Sequence, residues 1–188
     1  MVAVIHQHKL RLAVRCLAAG GLVAYPTEAV YGLGCNPWTE TAVHRLLAVK
    51  RRSERKGLIL IAADFEQLEP FVEPLDTDRM AEVLATWPGP ITWLFPARPS
   101  TPRWLTGSRP TIAVRVTAHP VARALCRAWG GPLVSTSANR EGQSPARTAL
   151  GARLHLEMAV DLVLNGLCGG RSRPSTIRDG ATGAVIRP

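Results

Sequence analysis

The chain has 188 residues, 46% hydrophobic and 20% charged, a balance that suits one domain with a buried core and excludes a disordered or fibrous protein. Its formal net charge is +9 and its pI is about 10.4, carried by 20 arginines and 3 lysines, so anionic partners such as a nucleotide, pyrophosphate or RNA fit its charge. A coding bias toward arginine would explain the Arg/Lys ratio but not the net charge.

No apolar run reaches the roughly 18 residues of a membrane span. His6, His8, Lys9 and Arg11 stand where a secretory signal has its apolar centre. The expectation is a cytoplasmic protein without membrane contact. Cys16, Cys35, Cys126 and Cys168 form no C-x-x-C pair, which argues against a zinc knuckle or redox motif, and they read as buried thiols.

Leu10, Ala13, Val14 and Leu17 recur at helical spacing before Gly20-Gly21 and predict a helix over about 8–19. A strand, Leu22 to Tyr25, stops at Pro26. A loop then carries Thr27, Glu28, Tyr31, Gly32 and Gly34, where glycines allow close approach to a ligand. Thr39 opens a helix with Val43, Leu46 and Leu47 on one stripe, ending near Lys50. Five cations follow within seven residues, Lys50 to Lys56. If the chain becomes extended there, Lys50 and Arg52 face one way and Arg51 the other.

Leu58 to Ala62 has no polar alternation and reads as a strand buried on both faces. Asp64 and Gln67 resemble a capping box before a short helix through about Phe71. A second helix, from about Asp76, carries Met80, Val83, Leu84 and Trp87 as its apolar face. The strand Ile91 to Phe95 leads into a proline- and arginine-rich loop, Pro96 to Pro110, whose length marks it as functional or mobile. Ile112 to Val116 is a strand with Arg115 at its centre. A buried arginine needs an anionic partner, either a structural carboxylate or a ligand. A helix follows Pro120 and closes at Gly130-Gly131. Leu133 to Asn139 is a short strand running into a polar edge, and a further helix begins at Thr148. Val160 to Leu164 is a strand, and Ser175 to Arg178 pairs with Gly183 to Arg187 as a hairpin. Helices and strands intermix without a regular β-α-β period, so the class is α/β or α+β with a mixed sheet, in a single domain over 1–188.

There is no Walker A sequence, nucleophile elbow, H-E-x-x-H or complete Rossmann fingerprint. The polar clusters are Thr27 to Gly34, Lys50 to Lys56, Ser135 to Asn139, and Ser175-Thr176 with Arg187. Each has a plain structural reading on its own: a turn hydroxyl, a solvated helix end, a capping turn. Their order and spacing together resemble the YrdC/TsaC family of threonylcarbamoyl-AMP synthases in its short, single-domain form. The resemblance rests on Pro26 to Gly34, Lys50-x-Arg52, Lys56 to Ile59, Ala113 to Val116 and Ser135 to Asn139.

The resemblance implies a twisted mixed sheet flanked by helices, with a basic concave groove. It implies that L-threonine, bicarbonate and ATP, the last with Mg2+, give threonylcarbamoyl-adenylate and pyrophosphate. The product would go to the tRNA threonylcarbamoyl-transfer machinery for N6-threonylcarbamoylation of adenosine-37 in tRNAs reading codons that begin with A. By position, Thr27, Arg115, Ser135 and Ser175 would hold threonine. Lys50, Arg52, Lys56, Thr111, Ser137, Asn139, Ser144 and Arg187 would surround ATP, with Lys50 and Arg52 as the catalytic cations. Ala29 and Ile61 depart from the family pattern and imply a less polar threonine pocket. Two readings from other classes stay open at this level: a non-catalytic RNA-binding factor, with direct tRNA contact through the basic surface, and another carbamoyl transferase on the same fold.

Overall fold

The computed structural model describes residues 6–156 and 159–188; the single domain expected over 1–188 also includes seven residues outside that range. Its elements in chain order are α1 (Gln7–Ala18), β1 (Val23–Pro26), β2 (Tyr31–Gly34), α2 (Glu40–Lys50), β3 (Ile59–Ala62), α3 (Thr77–Ala85), β4 (Ile91–Pro96), α4 (Arg103–Thr106), β5 (Thr111–Val116), α5 (Pro120–Trp129), β6 (Leu133–Ser137), α6 (Ala149–His155), β7 (Leu162–Val163), β8 (Thr176–Asp179) and β9 (Val185–Arg187). Among the described residues the strands form one mixed sheet in the order β7-β1-β2-β6-β3-β5-β4-β8-β9.

Residues paired across strands share a face of the sheet, and this decides where each helix packs. Leu60, Ala62, Val114, Val116 and Val134 point into a core completed by Val43 and Leu46 of α2, Val83 of α3, Leu105 of α4 and Ala152 of α6. On the opposite face, Val23, Tyr25, Ile61 and Leu133 pack against Leu17 of α1 and Val121 and Leu125 of α5. Burial on both faces accounts for the unbroken apolar run of β3.

The second face is only partly covered. Register places Ser135, Ile59 and Ala113 side by side across β6, β3 and β5, and Ile61 beside Arg115. α1 and α5 end over Ile61 and Leu133. The remainder of that face is left to a groove.

Four expectations are corrected. Tyr31–Gly34 is a strand paired with β1, because its glycines make room for packing. A Cβ on Gly34 would lie 2.3 Å from the Val134 carbonyl oxygen and 2.8 Å from the Tyr25 hydroxyl. The helix expected through about Phe71 is only a 3-10 turn, Glu69–Phe71, and the Asp64–Gln67 pair does not cap it: Gln67 accepts from Ala63 N and donates to Cys126 O, tying the preceding turn to α5. The 96–110 segment is no plain loop; it contains α4, and Thr101 donates to Phe71 O while Arg98 Nε reaches Glu69 O and Val72 O. Of the four residues expected on the apolar face of the second helix, Val83 is buried, Met80 packs against the core, Trp87 does so from beyond the end of α3, and Leu84 is 48% exposed.

Candidate active site

The groove consists of two cavities that meet. The first, of about 180 Å³, is lined by the turn Thr27–Tyr31, by Arg115, Ser135 and Ser137 from the sheet, and by Arg171, Arg173 and Ser175 from the segment before β8. The second, of about 100 Å³, is lined by Lys56, Arg109 and Thr111 with an apolar floor of Leu94, Leu105, Ala113 and Ile177. Arg52, Leu58, Ile59 and Arg187 line both.

Arg115 is both ion-paired and cavity-lining, so the two readings of a buried arginine hold together. Its Nη1 donates to Glu28 Oε2 at 2.8 Å, and Thr117 Oγ1 (2.7 Å) and Ala118 N (3.0 Å) donate to Glu28 Oε1. Burial by itself would raise the Glu28 carboxyl, but Arg115 and these hydrogen bonds outweigh it and hold it below its ordinary value. Arg115 Nε is buried without a partner.

Thr27 Oγ1 donates to Val30 O at 2.7 Å, so it serves its turn and keeps its lone pairs for the cavity. Ser175 Oγ accepts from Thr92 Oγ1 at 2.9 Å, which leaves its own proton to donate. Ser135 is buried at the cavity floor.

Lys50 lines neither cavity. It is 3% exposed, and its Nζ donates to Ser137 O at 2.5 Å and Asn139 O at 2.7 Å, so it lies under the polar end of β6 and fixes that loop. Burial, reinforced by Arg52 and opposed by Glu141, pushes its ammonium down to about 8. The segment after Lys50 is not extended. Arg51 caps α2 in the left-handed conformation (φ 52°) and is exposed, while Arg52 turns back into the groove, donating from Nη2 to Gly57 O. Two neighbours thus face opposite ways through a helix cap rather than strand alternation.

Asn139 donates from Nδ2 to Arg140 O and Gln143 O, and its Oδ1 is buried without a partner. Lys56 pairs with Glu141, whose backbone N–H donates to Lys50 O. Arg187 Nη2 donates to Ser175 O at 2.8 Å. Its pKa is lowered by burial and by the neighbouring Arg52 and Arg115, as expected where cations face one another across a site that binds anions. Ser144 is exposed and lines neither cavity, although the adjacent Pro145 does. Ile61 is fully buried in the core under α1 and α5, so its departure does not shape the groove, whereas Ala29 lines it.

Sequence reading gave no role to Glu28, Arg109, Glu141, Arg171 or Arg173. The available signal was the run Arg171-Ser172-Arg173-Pro174 just before Ser175.

An arginine- and hydroxyl-lined groove on the uncovered face of a mixed sheet defines an α/β protein built for small anionic substrates. A family model for the Sua5/YciO/YrdC domain, described as "Telomere recombination", matches residues 15–188, and the chain belongs to this family. The threonylcarbamoyl-AMP synthase of Coxiella burnetii is 52% identical over 175 residues, 93% of this chain and 94% of its own length. That of Alkalilimnicola ehrlichii is 56% identical over 182 residues, 95% of each. The crystal structure of P. abyssi Sua5 complexed with L-threonine matches with a TM-score of 0.88 at 34% identity and covers 94% of this chain. This chain spans 52% of the length of that longer protein.

Proposed function

We propose that the chain is a threonylcarbamoyl-AMP synthase: L-threonine, bicarbonate and ATP give L-threonylcarbamoyladenylate and pyrophosphate, the adenylate serving tRNA modification. The observation that carries this reading is the meeting of two cavities at Arg52 and Arg187. One cavity is amino-acid-like, with Thr27, Arg115, Ser135 and Ser175; the other joins basic side chains to an apolar floor, as a nucleoside with phosphates requires.

The threonine amine attacks the bicarbonate carbon, a C–N bond forms and water leaves, giving a carbamate. A carbamate oxygen then attacks the α-phosphorus in line, and the bond to the bridging oxygen of pyrophosphate breaks. Both reactants are anions, so the task of the protein is positioning and charge compensation rather than nucleophilic attack. Arg115, fixed by Glu28, takes the threonine carboxylate, Ser175 donates to it, and Thr27 accepts from the amino acid. Arg52 and Arg187 bridge the reacting groups. Lys56 and Thr111 border the nucleotide, Ser137 lines the amino-acid cavity beside it, and Lys50 holds the Ser137–Asn139 backbone in place. Among the described residues no group of three or more His, Cys, Asp or Glu could hold a metal, so Mg2+ is proposed to arrive on the oxygens of the triphosphate.

Pyrophosphate release that requires both threonine and bicarbonate, and proceeds without RNA, is the expected result. Release that ignores threonine would favour another carbamoyl transferase, and an absolute requirement for tRNA would favour the RNA-factor reading. Direct RNA contact, where present, would be electrostatic and would weaken steeply with salt. Among the described residues no helix is long and apolar enough to cross a membrane.

A further inference from the structure

The first cavity is lined by five guanidiniums, from Arg52, Arg115, Arg171, Arg173 and Arg187, and by one carboxylate, Glu28. Glu28 is already committed to Arg115, Thr117 and Ala118. Arg52 and Arg187 also border the nucleotide cleft, whereas Arg171 and Arg173 line the amino-acid cavity and not the other. Neither Arg171 nor Arg173 has an ion-pair partner among the described residues.

The strap that carries these two arginines is held firmly against the Thr27–Glu28 turn. Gly169 N donates to Thr27 O at 3.0 Å, and Arg171 N donates to Glu28 O at 3.1 Å. Further along, Tyr31 Oη donates to Gly166 O, His119 Nε2 meets Leu167 O at 3.0 Å, and Arg147 Nη2 donates to Ser172 O. A Cβ on Gly169 would sit 3.0 Å from the Glu28 carbonyl oxygen, so the approach is as close as glycine permits. The arginines are therefore placed by backbone over the site where Arg115 and Ser175 meet an amino acid.

Carboxylation of threonine turns a molecule with one carboxylate into one with two, and a single arginine satisfies only one of them bidentately. We infer that Arg171 and Arg173 bind bicarbonate and the carbamate carboxylate formed from it, while Arg115 keeps the α-carboxylate. This assignment rests on the synthase reading above and adds to it the part of the site that takes the one-carbon anion.

The test is pyrophosphate release with bicarbonate varied in decarbonated buffer, at saturating threonine and ATP. Arg171→Gln and Arg173→Gln are each expected to raise the bicarbonate KM at least tenfold. Threonine affinity measured by calorimetry without bicarbonate should change less than twofold, and melting temperature should hold because both side chains are exposed. Arg→Lys at the same positions should recover part of the loss. An unchanged bicarbonate KM, or an equal rise in the ATP KM, would overturn the assignment and make these arginines general or phosphate-binding charge. Failure of the wild-type protein to release pyrophosphate with threonine and bicarbonate would instead reject the synthase reading itself.

Discussion

Arg51 and Arg52 are adjacent and identical in chemistry, yet one caps a helix in solvent and the other lines both cavities. Arg52→Ala is expected to lower kcat/KM at least tenfold, about 1.4 kcal/mol of transition-state stabilisation, while Arg51→Ala should change it little. Equal losses in a pyrophosphate-release assay would mean that the basic run acts only through its summed charge. Lys50 lends itself to a pH experiment, because burial brings its ammonium down to about 8 in the free protein. Its ammonium donates to Ser137 O and Asn139 O, so ordering of that loop by bound ATP would favour the charged form, and ATP binding near that pH should take up protons. ATP affinity should therefore weaken as pH rises through about 8, and calorimetry in buffers of different ionisation enthalpy should detect the proton uptake. The Lys50→Met variant should show neither effect.

At the level of elements, β2 needs glycine where its neighbours crowd the backbone. Gly34 in β2 has the Val134 carbonyl on one side and the Tyr25 ring on the other. Gly34→Ala should destabilise the protein by about 1–3 kcal/mol through overpacking, read as a lower urea midpoint at unchanged m-value. Gly131, after α5, has its nearest side-chain atom at 3.8 Å from a built Cβ and no positive φ, so Gly131→Ala should be neutral or slightly stabilising. Similar losses at both positions would show that the close approach of β1, β2 and β6 is not what requires glycine. The C-terminal hairpin of β8 and β9 is anchored differently: Arg178 lies over the Trp93 ring and reaches Glu82 of α3, and Glu82 also pairs with Arg79. That anchorage holds Ser175 and Arg187 at the rim of the groove.

For the whole molecule, acid stability follows from two paired carboxylates, Glu28 and Asp161. Glu28 is held below its ordinary range despite its burial, chiefly by Arg115, and Asp161 is held down by its hydrogen bonds from Arg45 and by Leu22 N–H. A group with a depressed folded pKa adds stability above its unfolded value and loses it as pH falls through the folded one. Stability should therefore be level at neutral pH and decline as pH drops below the ordinary carboxylate range of about 4. Glu28→Gln should lower neutral stability and flatten part of that decline in denaturant titrations; an unchanged acid limb would show that the Glu28–Arg115 pair contributes nothing net.

Much of this architecture was legible in the sequence because it is local. Periodicity located α1, α2, α5 and the apolar strands β3 and β5, and a charge inside an apolar strand singled out Arg115. The polar clusters, in their order, carried the family resemblance. What tertiary structure alone decided is partnership. Glu28 and Arg115 are 87 residues apart, and Lys50 and the Asn139 carbonyl 89 apart, and they meet only through sheet register. Tyr31–Gly34 reads as a loop until Tyr25 is seen to need the space its glycines leave. Arg171 and Arg173 carry no periodic signal, because a strap held by backbone hydrogen bonds to a distant turn leaves no pattern in its own side chains.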